Sequence, residues 1–188
     1  MITHTPDLVA AEHPLATARR VSTALRDSLG AVMAGRSQQI DVTVATVLAG
    51  GHVLIEDVPG VGKTLLAQAL AAAIGGSFAR VQGTADLLPS DVIGSLTPDA
   101  DGRGLHFRPG PLFANVVLFD ELNRANARTQ SALLEVLEEG HVTVDGVAYA
   151  VPSPFVLVAT QNPVRMAGTY PLAEGVTDRF TAALSLGR

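Results

Sequence analysis

Apolar residues in this chain change their spacing from one segment to the next, and each spacing predicts an element. From Pro14 the positions Val21, Leu25, Leu29 and Val32 recur at helical intervals, with Gly35 placed to end the helix. Ser37 then reads as the cap of a second helix with the stripe Ile40, Val44, Val47 and Leu48, closed by Gly50-Gly51. "HVLIE" is a short continuous apolar run, the mark of a strand buried on both faces. "TLLAQALAAAI" is helical by propensity, and "SFARVQ" reads as the next strand. Residues 83–114 break into prolines and glycines, with "GLHFRPG" as one arm of a small hairpin. Further on come the strand "NVVLFDE" and the amphipathic helix "ANARTQSALLEVLEEG", with Leu133, Leu134 and Leu137 inward. "HVTVDGVAYAV" alternates about Asp145-Gly146 as a hairpin does, "PFVLVATQNP" is another apolar strand, and "AALSL" is a last one.

Apolar strands alternating with helices predict an α/β fold, a mostly parallel sheet covered on both faces. Residues 1–13 read as a flexible lead-in and 14–188 as one domain, with leading helices over 14–50 and an insert over 83–114. Ligands of such sheets bind beyond the carboxyl ends of the strands. Three polar tips fall there: "DVPGVGKT", "DE" and "TQN".

The first tip carries the chain's single lysine among 13 basic residues. Residues 57–64, Asp-Val-Pro-Gly-Val-Gly-Lys-Thr, keep the second half of the Walker A phosphate loop between a strand and a helix, with Asp57 in place of the first glycine. A slim ammonium enters a backbone-lined nest that a planar guanidinium does not fit. Pro59, Gly60, Val61 and Gly62 shape the turn, and the amides from Gly60 to Leu65 line an anion nest at a helix N-terminus. Lys63 then reaches the β- and γ-phosphates and Thr64 offers a hydroxyl to Mg²⁺. The Asp57 carboxylate has to point away from the phosphates. Without a bound nucleotide, the same residues read as a glycine-rich turn before an alanine-rich helix.

Asp120 and Glu121 end an apolar strand. Alone, such a pair is more often a solvated turn or a helix cap. Together with the Lys63 loop, Asp120 reads as the acidic partner of Mg²⁺ and Glu121 as the group that polarises the attacking water. By spacing alone Asn162 is equally a turn former before Pro163 and an amide that holds the water or a γ-phosphate oxygen. By composition alone Arg179 is a surface partner of Asp178 or Glu174, and an arginine that completes a neighbouring subunit's site is the alternative.

Composition narrows the classes. The chain has 188 residues, 47% of them hydrophobic, which suffices for a globular core. Cysteine is absent, so disulfide frameworks and thiolate metal sites are excluded. The five histidines lack metal-ligand spacing, and His52 at the start of a strand reads as structural. A net charge of −5 and 4% aromatics argue against a nucleic-acid partner. No apolar run approaches membrane-span length and no signal peptide is visible, so the cytoplasm is the expected compartment.

"GGHVLIEDVPGVGKTLLAQALA", "DLLPSDVIGS", "FRPGPLFANVVLFDELNRANARTQSALLEVLEEGHVTVDG" and "ATQNP…GTYPLAE…DRF" together resemble the MoxR-type AAA+ ATPases. The resemblance covers residues 30–188. It implies a P-loop NTPase core with a five-stranded sheet, hydrolysis of ATP to ADP with Mg²⁺, and a homo-oligomeric ring of six. It also implies a chaperone-like role on protein clients, among them proteins with a von Willebrand A-type domain. By the same resemblance Lys63 and Thr64 are Walker A, Asp120 and Glu121 Walker B, Asn162 sensor 1 and Arg179 the trans-acting arginine finger. Val32 and Gly35 of "VMAGR" would pack near the adenine. The helical lid that follows this core in the family lies beyond these 188 residues. A second reading is therefore a nucleotide-binding interaction module with negligible turnover.

Overall fold

A computed structural model describes residues 13–58, 60–162, 169 and 171–187. Two helices lead, α1 (Pro14–Gly30) and α2 (Ser37–Leu48). The order then runs β1 (His52–Glu56), α3 (Lys63–Ala73), β2 (Phe78–Gln82), α4 (Pro89–Ile93), β3 (Gly94–Pro98) and β4 (Leu105–Pro109). It continues with β5 (Val116–Asp120), α5 (Ala127–Glu139), β6 (His141–Val144), β7 (Val147–Ala150), β8 (Val156–Gln161), α6 (Glu174–Thr177) and β9 (Phe180–Leu184). Five strands form one sheet in the order β2-β5-β8-β1-β9, with every pairing parallel. The expected α/β architecture is therefore present, with helices on both faces.

Each face has its own core. Leu25, Leu29 and Val44 of the leading helices, with Leu66 and Leu70 of α3, pack on one side against Val53, Ile55, Leu118 and Val158. On the other, Leu133 and Val136 of α5 pack with Leu54, Val117, Phe119 and Leu157. Alternate residues of β1, β5 and β8 thus feed opposite cores, which is why these strands read as unbroken apolar runs. The expected hairpins are β3–β4 and β6–β7. Asp145 and Gly146 both take positive φ, 49° and 77°, as a two-residue hairpin turn requires. The hairpins meet where Phe107 stacks on Tyr149 with ring centroids 4.1 Å apart.

Several local expectations are corrected. α1 ends at Gly30, not Gly35: Ala31 is its cap, and the Val32 amide turns to the Leu29 carbonyl, three residues back rather than four. Gly35 instead takes φ +77° in the connecting loop. Ser37 is the first residue of α2, with Arg36 at the cap position and no side-chain cap. Val21, Val32 and Leu48 continue the apolar stripes in sequence but are exposed. Among the described residues no helix is long and apolar enough to cross a membrane.

Candidate nucleotide site

The sheet order places β8 between β5 and β1, so the acidic tip lies one strand further from the phosphate loop than a direct neighbour would. The three tips still open on one cavity of about 520 Å³. Asp57, Gly60, Gly62, Lys63, Thr64, Leu65, Asp120, Glu121 and Asn162 line it, with Gln68 and Arg80; Val61, also expected in the nest, does not. Pro59 lies outside the described residues.

The loop is fixed from behind. Gly60 and Gly62 take φ +89° and +98°, a backbone that glycine adopts without the strain of a Cβ. The buried Asp57 carboxylate faces away from the cavity, as expected. Its Oδ2 accepts from the amides of Leu186 (2.5 Å) and Gly187 (3.3 Å) and from the Ser185 hydroxyl (3.1 Å). Lys63 Nζ donates to the Asp57 carbonyl at 2.8 Å, so the ammonium lies folded against its own loop. Arg36 donates to the Val61 carbonyl, and its second nitrogen reaches the Gly187 carbonyl at 3.5 Å. The segment holding Val32 and Gly35 thus abuts the phosphate loop without lining the cavity.

The acidic tip is held differently. Asp120 Oδ1 accepts from the Thr160 hydroxyl at 2.7 Å, and that buried oxygen accepts in turn from the Glu121 amide at 2.8 Å. Glu121 takes φ 54° and ψ 50°, a left-handed conformation uncommon for a side-chain-bearing residue. Gly83 lets this happen: a Cβ there would lie 2.2 Å from the Glu121 carbonyl oxygen. Glu121 Oε2 accepts from Arg124 (3.0 Å) and Gln82 (3.2 Å). Arg80 on β2 donates to Asp120 Oδ2 at 2.6 Å. Sequence reasoning missed Arg80, Gln82 and Gly83. A pairing of "SFARVQG" with "VVLFDE" would have found them, since Gln82 lies opposite Asp120 in the register.

Arg179 does not line the cavity. It pairs with Glu138 of α5 rather than with Asp178 or Glu174, because the turn of α6 carries its side chain back over α5.

The donor set suits a phosphate ligand with a hard cation. The turned-away carboxylate leaves the loop free for an anion, and a hydroxyl and a carboxylate are oxygen donors of the kind Mg²⁺ takes. Among the described residues no cluster of three or more His, Cys, Asp or Glu could hold a metal ion.

A parallel sheet whose β1, β5 and β8 tips enclose a lysine, a threonine and two acids defines a P-loop nucleotide-binding protein. Residues 52–182 match the model of the ATPase family associated with various cellular activities (AAA), and the chain belongs to that family. It is 51% identical over 161 residues to the uncharacterized protein YeaC of Bacillus subtilis (86% of this chain, 50% of that one). To the chaperone MoxR1 of Mycobacterium tuberculosis it is 44% identical over 156 residues (83% and 41%). The crystal structure of a candidate ATPase from Cytophaga hutchinsonii superposes with a TM-score of 0.76 at 40% identity, covering 93% of this chain and 55% of that one. The MoxR-type resemblance is borne out. The chain spans about half the length of the curated relatives it matches.

Proposed function

We propose that this chain binds ATP with Mg²⁺ and hydrolyses it, as the α/β core of a MoxR-like, chaperone-type ATPase. The observation that carries this reading is the convergence of Lys63, Thr64, Asp120, Glu121 and Asn162 on one cavity. In it, Lys63 exchanges the Asp57 carbonyl for β- and γ-phosphate oxygens while the amides of the loop hold the anion. Thr64 and Asp120 hold the metal, which when bound neutralises charge on the phosphates. Glu121 accepts the proton of the attacking water, and Asn162 orients that water or a γ-phosphate oxygen. Val32 and Gly35 face the adenine from the loop beside Val61.

Arg179 serves a second subunit in a homo-oligomeric ring of six, and the ring remodels protein clients in the cytoplasm, among them proteins with a von Willebrand A-type domain. A single chain with negligible turnover is the second reading. It is favoured by Arg179 lying off the chain's own cavity, paired with Glu138 of α5.

ATPase rate measured against protein concentration separates the two. A specific rate that climbs with concentration, and that Glu121→Gln lowers by about 10²–10⁴-fold with nucleotide binding retained, supports the enzyme. Hydrolysis undetectable at every concentration, or indifferent to Glu121→Gln, leaves only the binding module.

A further inference from the structure

We propose that Arg80 is a positioning residue that competes with the metal for Asp120 and so sets the magnesium requirement of nucleotide binding. The inference rests on the cavity being a Mg²⁺–nucleotide site. Asp120 has two oxygens, and Oδ1 is taken by the buried Thr160 hydroxyl. Oδ2 is the one left for a ligand in the cavity, and the Arg80 guanidinium holds it at 2.6 Å. The two side chains differ in exposure, 50% for Arg80 and 17% for Asp120, so the arginine can leave where the carboxylate cannot.

Register explains how Arg80 gets there. It lies opposite Leu118 on the outermost strand, two residues before the Gln82–Asp120 pair, and its long side chain runs up the sheet to the cavity it lines. A guanidinium and Mg²⁺ compete for one carboxylate oxygen, whether the ion meets it directly or through water, because like charges brought to it repel. Metal arrival therefore displaces Arg80. Without metal, Arg80 remains as a positive charge among the phosphate-site residues and favours metal-free nucleotide.

The test is titration of a fluorescent ADP analogue into the protein with magnesium buffered from fully chelated to excess. Arg80→Gln should lower the magnesium concentration at half-maximal binding by about two- to fivefold, the worth of a half-exposed ion pair. It should also weaken binding in chelator. Arg80→Lys keeps the charge without the fork. It should move the midpoint the same way by a smaller factor, and it carries the test if the glutamine variant fails to fold. An unmoved or raised midpoint in a variant that still binds the analogue overturns the proposal and leaves the site reading intact. A wild-type protein that binds no analogue at any magnesium level overturns both.

Discussion

The two halves of the cavity are built on opposite principles. The phosphate loop is held by groups behind it: a buried carboxylate that accepts from three donors after β9, and Arg36 bridging to Val61 and Gly187. The acidic tip is anchored behind by the buried Thr160 hydroxyl, but its open side is held by half-exposed arginines, Arg124 on Glu121 and, lining the cavity itself, Arg80 on Asp120. A loop whose supports are buried stays in shape when phosphate arrives, which is the preorganisation that anion binding rewards. A tip whose partners are exposed exchanges them at little cost, since such pairs contribute at most about 1 kcal/mol. One half is prepared, and the other is exchanged on binding.

The largest expected effect is on the prepared half. Lys63→Arg should weaken nucleotide binding by about 10- to 100-fold, close to the loss in Lys63→Ala, because charge-assisted hydrogen bonds are lost and the fork does not fit. Isothermal titration with ADP checks this. Near-normal affinity in the arginine variant would show the nest to be less narrow than its geometry implies.

A smaller effect should follow from loosening the loop's rear support. Asp57→Asn keeps one acceptor but removes the charge, so it should cost about 1 kcal/mol of folding stability, the difference between charged and neutral hydrogen bonds. Urea unfolding of the two proteins measures it directly. Equal midpoints would mean that the carboxylate is dispensable to the loop and that the contrast between the halves is wrong.

This contrast also explains which parts of the molecule were legible from sequence. The loop reads in one dimension, because strand, glycines, lysine and helix follow one another without a break. Even the orientation of Asp57 followed from charge alone, and β5 and β8 announced their polar tips by ending apolar runs. Arg80, Gln82 and Gly83 were not legible, because their roles depend on β2 lying beside β5 at a given register, a fact of sheet order. Arg179 was misplaced for a similar reason: composition offered the acids nearest in sequence, whereas the tertiary turn supplied Glu138. Gly35 shows the limit of punctuation. It marks a turn, but α1 had already closed at Gly30, with Ala31 as its cap.

The smallest effect concerns the framework beneath both halves, at the far end of β1 from the loop. His52 is buried, its Nδ1 accepting from the Leu157 amide at 3.2 Å and its Nε2 donating to the Leu137 carbonyl at 3.4 Å. That pairing requires the neutral ring, and burial lowers its pKa from the ordinary 6.5, the bond to Leu137 opposing only in part. Above pH 6.5 the ring is neutral in both folded and unfolded chains, and the contribution is fully present. As pH falls below that value the unfolded chain takes up the proton first, so stability is lost until the folded-state pKa is passed. Thermal unfolding across pH 5–7 should therefore show a fall toward acid that is shallower in His52→Gln, with a difference smaller than the Asp57→Asn effect. Parallel profiles for the two proteins would place the acid sensitivity elsewhere than at His52 and the framework it braces.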